Sequence, residues 1–580
     1  MPGKKNIEQE LDPLFNPRSI AVIGATNRWN KWGFSTFASI INSFEGKCYP
    51  VNTTEKEVLG HRAYQRITDI PDDEPVDLAV FVIPPEAVAP VMEDCVEKGV
   101  RAGVVITAGF AETGAEGKRL QDEVVAIAQK GPLRFIGPNC MGFWSASSNL
   151  KAFMFPFPVI EGPIAFVSQG GNVGGAVVRL GYNRGLGFHR YVSCGCMADI
   201  QIEDYIEHFG ADPNVKVIFA YIEGLGDGNR FIEKVRRVTV KKPVIVLKPG
   251  RTLAGTKAIS SHSGALAGSS DLYDSAFKKA GVIRVNTAEA LLDLGVAFIN
   301  QPLPQGRNVA IITPGGSYGV ISADACASLG LKVIDLSPET IAQFDRFFPP
   351  RWSRGNPVDP AGDRNFIAYM QTPELLLKLP EVDSLIYMGF DSFSSFSSSF
   401  ITLSEDLAKG LGEYVKEFSR MIPEETEGDS GQDRKWMGRL VAKIAGVFFS
   451  YFGTSSPAEV EAFARSQVTF LDSETISSDL EKKLRDVLRP ADGESLENVG
   501  ELFAEIFQPL MEALILRWIE VYKKPVLTTS FVGTAPAISD MGHYPYPFAE
   551  QAAFVLAKMV EYREYLDRAK KNPPERIKAN

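Results

Sequence analysis

Cysteine and histidine are scarce in this chain, at six and five residues out of 580. Cysteines as thinly spread as 48, 95, 140, 194, 196 and 326 argue against a disulfide framework and for a reducing compartment. Cys194 and Cys196 form a C-x-C pair with no second pair. No His, Cys, Asp or Glu set has metal-ligand spacing, so no metal site is expected in the chain. Positive charge is also in deficit: 61 basic against 71 acidic side chains leave a formal −10. That is the wrong sign for a protein that draws its affinity from nucleic-acid phosphates or anionic lipid. Long hydrophobic runs are missing too. The stretch from Asp77 to Pro85 stops far short of the ~18 residues of a membrane span, and MPGKKNIEQELDPL has no apolar segment behind its lysines, so no secretory signal is expected. These absences leave a soluble, cytoplasmic protein acting on a small molecule.

What is present is an ordinary globular composition, 45% hydrophobic and 23% charged. At ~150 residues per domain the length suggests roughly four units, or three with one enlarged. From Ser19 to about Phe143 the runs SIAVIGAT, KCYPVN, DLAVFVIP, AGVVITAGF and RFIGPN each read as a buried parallel strand, with helical stretches such as Pro85–Lys98 between them. This is a doubly wound α/β pattern, in which ligands gather at the carboxyl ends of strands. The plan repeats from Gly162 to about Ile299 and again after the Pro-rich joint Asn300–Gly306. The expected domains are 11–145, 160–300, and 306–391 resumed at 523–568, with a mainly helical insertion over 392–522. Within the insertion, capping boxes begin at Ser456 and Ser478 and an acidic turn spans Pro423–Asp433. A helix over Ala549–Arg568 closes the third domain.

Three strand-to-helix turns carry small residues where free helix amides would hold a phosphate or carboxylate: Gly24-Ala-Thr26, Ser168-Gln169-Gly170-Gly171 and Thr313-Pro-Gly315-Gly316-Ser317. Each alone reads equally well as a tight turn that needs glycine for its backbone. None is the GxxxxGK[ST] loop. The first turn, GATNRWNKWG, lacks a full GxGxxG, and Asn52 followed by Lys56 suits a phosphorylated nucleotide better than the ribose of NAD. Four histidines read as structural. His262 differs: it lies among serines and glycine in KAISSHSGALAG, read as a mobile loop after the strand PVIVLKPG, where an imidazole would act as a nucleophile toward phosphoryl groups. Glu223, at the end of the strand before, would orient that ring, or is an ordinary loop carboxylate. Phe153, Phe155 and Phe157 alternate as in a core strand, the second reading being an apolar wall for an acyl group.

Taken in order, LFNPRSIAVIGAT from Leu14, Tyr49-Pro-Val-Asn52, Gly109-Phe-Ala-Glu112, Ile136-Gly-Pro-Asn-Cys-Met-Gly142, Val167-Ser-Gln-Gly-Gly171, Tyr221-Ile-Glu-Gly224, SHSGALAG from Ser261 and Asn356-Pro-Val-Asp359 resemble one family. It is the NDP-forming acyl-CoA synthetases of the ADP-forming acetate–CoA ligase type, α-subunit type, relatives of succinyl-CoA synthetase. The resemblance implies a Rossmann-like CoA-binding domain followed by two flavodoxin-like ligase domains. It implies that Gly24, Thr26, Asn52, Lys56 and Pro84 fall on CoA-lining loops. Gly109, Phe110, Glu112, Asn139 and Cys140 would do the same. It further implies His262 as the phosphorylated residue, Glu223 as the carboxylate beside it, and Ser168 to Gly171 as the phosphate-holding helix start, with Gly315 and Gly316 a further phosphate-binding turn.

The implied reaction interconverts acyl-CoA, phosphate and ADP with carboxylic acid, CoA and ATP. ADP or ATP and Mg²⁺ would sit on a separate ATP-grasp β subunit, for which this chain has no room, and an oligomer is expected. One departure stands out: where the family usually has Gly-Asn, this sequence has Gly195-Cys196. The competing reading is an inactive CoA- or acyl-CoA-binding sensor on the same fold. An NAD(P)-dependent oxidoreductase, resting on the first domain alone, is a third.

Overall fold

The computed structural model describes residues 7–155, 157–263, 270–362, 366–389, 499–530 and 537–571, with isolated positions between 420 and 482. It forms two compact units, 1–299 with 564–580, and 300–563.

The first unit holds two large sheets and a small antiparallel pair of Glu57–Val58 with His61–Arg62. Strands β1 (Ser19–Ile23), β2 (Lys47–Val51), β3 (Leu78–Phe81), β4 (Ala102–Val105) and β5 (Arg134–Ile136) are the five runs read from the sequence. They lie in the order β2-β1-β3-β4-β5, all parallel. The pleat explains why these runs are apolar throughout. Ile20 and Val22 of β1 enter one core cluster while Ala21 and Ile23 enter another on the opposite face, so neither face meets water.

The second sheet comprises β6 (Gly142–Ser145), β7 (Leu150–Phe153), β8 (Ile164–Ser168), β9 (Phe188–Ser193), β10 (Val217–Tyr221), β11 (Val244–Leu247) and β12 (Ile283–Val285). Its order is β12-β11-β10-β8-β9-β6-β7, parallel except for the β6–β7 hairpin and its antiparallel seam with β9. The second sheet therefore recruits residues that the sequence reading left in the first domain or between the two. The short strands of the hairpin carry Trp144, Leu150 and Phe153 into the core.

Four helices of this unit matter for the site. They are α1 (Ile7–Phe15), α2 (Trp32–Ile41) packed on β1, α3 (Gly171–Asn183) after β8, and α4 (Leu253–Ser263) after β11. The last corrects the mobile-loop expectation for the His262 segment. Thr252 accepts the Gly255 N–H on its hydroxyl at 3.1 Å and the Thr256 N–H on its carbonyl at 2.8 Å, starting a helix that runs on to Ser263. His262 is thus on the final turn of α4. Residues 264–269 lie outside the described residues, and α5 (Ser270–Ala280) follows.

The second unit has one parallel sheet of β13 (Asn308–Ile312), β14 (Lys332–Val333), β15 (Ser384–Met388), β16 (Val526–Thr529) and β17 (Pro545–Tyr546), ordered β14-β13-β15-β16-β17. Helix α6 (Gly316–Ser328) follows β13. Of the insertion read over 392–522, the structure describes the helix Val499–Tyr522 and a few single positions. The capping boxes at Ser456 and Ser478 and the Pro423–Asp433 turn lie outside the described residues. The terminal helix runs Ala549–Lys571. No described helix is long and apolar enough to cross a membrane.

Candidate active site

The β8-to-α3 turn is the organising element. Ser168 is fully buried, and its hydroxyl donates to the Gly170 carbonyl at 2.7 Å, so it shapes the turn instead of reaching a ligand. Gln169 reaches across to the next strand end. Its Oε1 accepts the N–H groups of Glu223 and Gly224, and its Nε2 donates to the Gly224 carbonyl at 2.7 Å. The two glycines are required by close approach. A Cβ on Gly170 would lie 2.9 Å from the Tyr221 ring, and one on Gly171 would lie 2.6 Å from Met141. The N-cap of α3, Gly170, has no side-chain acceptor, and its first-turn residues Gly171 and Asn172 line a large cavity. A helix start of this kind offers amides and a partial positive charge to an anion.

Glu223 is 7% exposed and lines the same cavity. Tyr221 hydrogen-bonds it, and burial followed by the Glu223 charge holds the phenol protonated far above its ordinary range. At the end of the neighbouring strand β11, Lys248 is 4% exposed and stands over the Tyr273 ring at 4.3 Å. Burial, helped by Arg284 and opposed by Glu223, lowers its ammonium to about 8.

The cavity, about 830 Å³, lies between the carboxyl ends of the two sheets and gathers Glu112, Asn139, Cys140, Gln169, Gly171 and Glu223 from the residues singled out in the sequence. A second cavity of about 540 Å³ lies on the first sheet and gathers Gly24, Asn52 and Pro84; Ile83 lines both. The Asn52 side chain ties its own turn to the one after β1, its Nδ2 donating to the Ala25 carbonyl at 2.7 Å and its Oδ1 accepting the Thr54 and Glu55 N–H groups at 2.9 Å.

The other residues named from the sequence stand elsewhere. Thr26 donates its hydroxyl to Glu55, a carboxylate that also takes the Asn27 N–H at 2.9 Å, so an internal anion occupies that turn. Lys56 is exposed and lines neither cavity. Phe110 is fully buried in the first-domain core, because its neighbours Gly109 and Glu112 turn the chain back on itself: Glu112 accepts the Gly109 N–H at 2.6 Å. Of the three alternating phenylalanines, Phe153 is buried with the half-buried Phe157 ring tilted against it at 4.3 Å, while Phe155 is 40% exposed. Gly315 and Gly316 belong to the second unit, where a carboxylate is again already present: Asp359 Oδ2 lies 3.2 Å from where a Gly316 Cβ would stand.

Sequence reasoning missed several residues of the cavity. Met141, Ser193 and Met197 line it, and Ser193 accepts the Met141 N–H at 3.0 Å. Cys196, singled out in the sequence as a departure from the family, lines it as well, its thiol donating to Glu112 at 3.4 Å. Lys248 was missed because a lysine in a KPG turn looks like a surface residue.

Three family models match in tandem: CoA binding domain over residues 18–145, Succinyl-CoA ligase like flavodoxin domain over 161–298, and Ligase-CoA domain over 309–413. Their order defines a CoA-handling ligase on the succinyl-CoA synthetase plan. The ADP-forming acetate–CoA ligase II α subunit of Pyrococcus furiosus is 44% identical over 376 residues, covering 65% of this chain and 81% of that protein. The ADP-forming 4-hydroxybutyrate–CoA ligase of Nitrosopumilus maritimus is 33% identical over 499 residues, covering 83% and 70%. A solved structure, Ca. Korarchaeum cryptofilum dinucleotide forming acetyl-coenzyme A synthetase 1 in complex with phosphate and ADP, aligns at a TM-score of 0.68 and 28% identity over 98% of this chain and 99% of that one. The chain belongs to the NDP-forming acyl-CoA synthetases.

Proposed function

We propose that this chain is an α-type subunit that interconverts acyl-CoA, phosphate and ADP with carboxylic acid, CoA and ATP, working with a separate ATP-grasp subunit that carries the nucleotide and its Mg²⁺. The pantetheine end of CoA enters the large cavity from the first-sheet side, along Ile83 and Asn139. Phosphate is held at the start of α3, where an amide-lined helix tip faces Glu223. A phosphate oxygen attacks the thioester carbonyl, the C–S bond breaks and CoA thiolate leaves. The imidazole of His262 then attacks phosphorus, releasing the carboxylate. The phosphohistidine finally passes its phosphoryl group to a terminal oxygen of ADP. Glu223 orients the ring and favours its charged form.

The observation that carries this reading is the gathering of Gln169, Gly171 and Glu223 in one cavity with Glu112, Asn139 and Cys140. The test is protein-bound label from acyl-CoA and [³²P]phosphate, acid-labile and base-stable, present in the wild type and absent in His262→Ala. Retention of label by that variant removes His262 from the path. Tight CoA binding with no label under any partner condition establishes the sensor reading instead.

A further inference from the structure

The ammonium of Lys248 is buried at the carboxyl end of β11, yet it lines neither cavity. It donates to the Pro249 carbonyl at 2.8 Å, and beneath it lies the Tyr273 ring at 4.3 Å. Taking an ammonium out of water costs several kcal/mol, and a methionine or leucine would fill the same volume without that cost. A purely structural role does not explain the charge.

The contacts around Lys248 join three segments. Tyr273, on α5, accepts the Leu225 N–H at 3.2 Å and so fixes the Glu223–Gly226 loop. Arg284, on β12, donates to Ser270 Oγ at 3.1 Å and to Asp274 at 2.5 Å, and approaches the Lys248 carbonyl at 3.5 Å. Just past Lys248, a Cβ on Gly250 would lie 3.7 Å from its Nζ and 2.5 Å from Ile259, a buried residue of α4 one turn before His262. The chain that leaves at Lys248, carries His262 and returns at Ser270 is therefore anchored at both ends by one cluster. Glu223 stands at the end of the adjacent strand, since Tyr221 pairs with Leu247.

We propose that Lys248 is a positioning residue for phosphoryl transfer: through Tyr273 it holds the Glu223–Leu225 loop in register with the root of the His262 helix, and its charge offsets the phosphoryl group brought to that loop. The inference rests on the reaction proposed above. The groups that face Lys248 are Glu223, Tyr273 and Arg284, and of these Glu223 opposes the depression of its pKa caused by burial and Arg284.

The test uses the full chain with acetyl-CoA and 4-hydroxybutyryl-CoA plus [³²P]phosphate, and follows the initial rate of histidine labelling. Lys248→Met lowers that rate about 30-fold while CoA affinity changes less than about twofold. Tyr273→Phe keeps the ring but loses the Leu225 acceptor, and lowers the rate about fivefold. Wild-type labelling falls as pH rises through about 8, where the ammonium is lost. Lys248→Arg, charged at every pH used, labels to within about threefold of wild type at pH 7 and lacks that fall. Should Lys248→Met fail to fold, the pH profiles of wild type and Lys248→Arg decide. Labelling of Lys248→Met at the wild-type rate, or identical pH profiles for wild type and Lys248→Arg, overturns the proposal and leaves the reaction standing. Absence of label in the wild type with both thioesters overturns the reaction, and the role of Lys248 with it.

Discussion

Gln169 and Gly224 hold each other through a pair of hydrogen bonds, the Gly224 N–H donating to Gln169 Oε1 at 2.9 Å and Gln169 Nε2 donating to the Gly224 carbonyl at 2.7 Å. The same Oε1 takes the Glu223 N–H. One side chain thus sets the distance between the α3 tip and the Glu223 carboxylate.

Gln169→Ala removes all three bonds and strands part-buried backbone groups, at ~1 kcal/mol or more each. Labelling by acyl-CoA and phosphate is expected to fall between about tenfold and a hundredfold, with CoA affinity within about twofold. Gln169→Glu, which keeps the acceptor and loses the donor, falls in between. Single-turnover labelling beside a CoA binding isotherm separates the two effects.

Gly33, at the start of α2, lies against Gly24, and a Cβ there would stand 1.9 Å from the Gly24 carbonyl oxygen. Backbone cannot yield as a flexible side chain does, so Gly33→Ala is expected to cost upward of ~3 kcal/mol. Gly228→Ala, at a position with open space around it, is the control and stays within ~0.5 kcal/mol. Urea midpoints check both.

Burial, with the Glu112 carboxylate adding to it, raises the Cys196 thiol to about 12. Alkylation requires thiolate, so at pH 8 Cys196 should react with iodoacetamide about a thousandfold more slowly than a thiol of ordinary pKa 9. Peptide mapping after timed alkylation gives the rate, and labelling within minutes would contradict the buried thiol–carboxylate contact.

His208 stacks on Phe15 at 4.9 Å, and burial, followed by repulsion from Arg190, lowers its pKa to about 4. The folded chain holds the ring neutral while the unfolded chain protonates it near 6.5. Its contribution is complete above about pH 6.5 and declines as pH falls toward 4. Between pH 7.5 and pH 5 the loss is roughly 2 kcal/mol. His208→Phe keeps a ring on Phe15 and should flatten the pH dependence of urea unfolding by that amount, since the other titrating groups cancel in the comparison.

The first sheet was legible because each of its strands is buried on both faces, which leaves an unbroken apolar run in the sequence. The hairpin Gly142–Phe153 was not, because its two strands are only four residues long and show no clear period. Helix α4 was hidden by its composition: serines and glycines suggest a loop, and the one signal against it was Thr252 followed by Leu-Ala-Gly-Thr-Lys-Ala. For the site, motif order pointed to turns that line the cavity but not to which side chain of each faces it. Phe110 and Glu112 sit in one motif, and only Glu112 faces it. Asn52 and Thr26 are polar and well placed in sequence, yet their side chains are spent on hydrogen bonds that tie their two turns together. That distinction depends on side-chain partners, which spacing does not encode.

The floor of the cleft is sewn across. Cys196 and Ala198 donate their N–H groups to the Pro138 and Gly137 carbonyls at 2.9 and 3.0 Å, Ser193 takes the Met141 N–H, and the very next residues run into β6 of the second sheet. A chimaera spliced at residue 145 would inherit a foreign strand in one sheet and foreign stitches to the other. The heritable module is the pair of sheets with the seam between them, and recombination among such ligases must exchange the two together or rebuild the join.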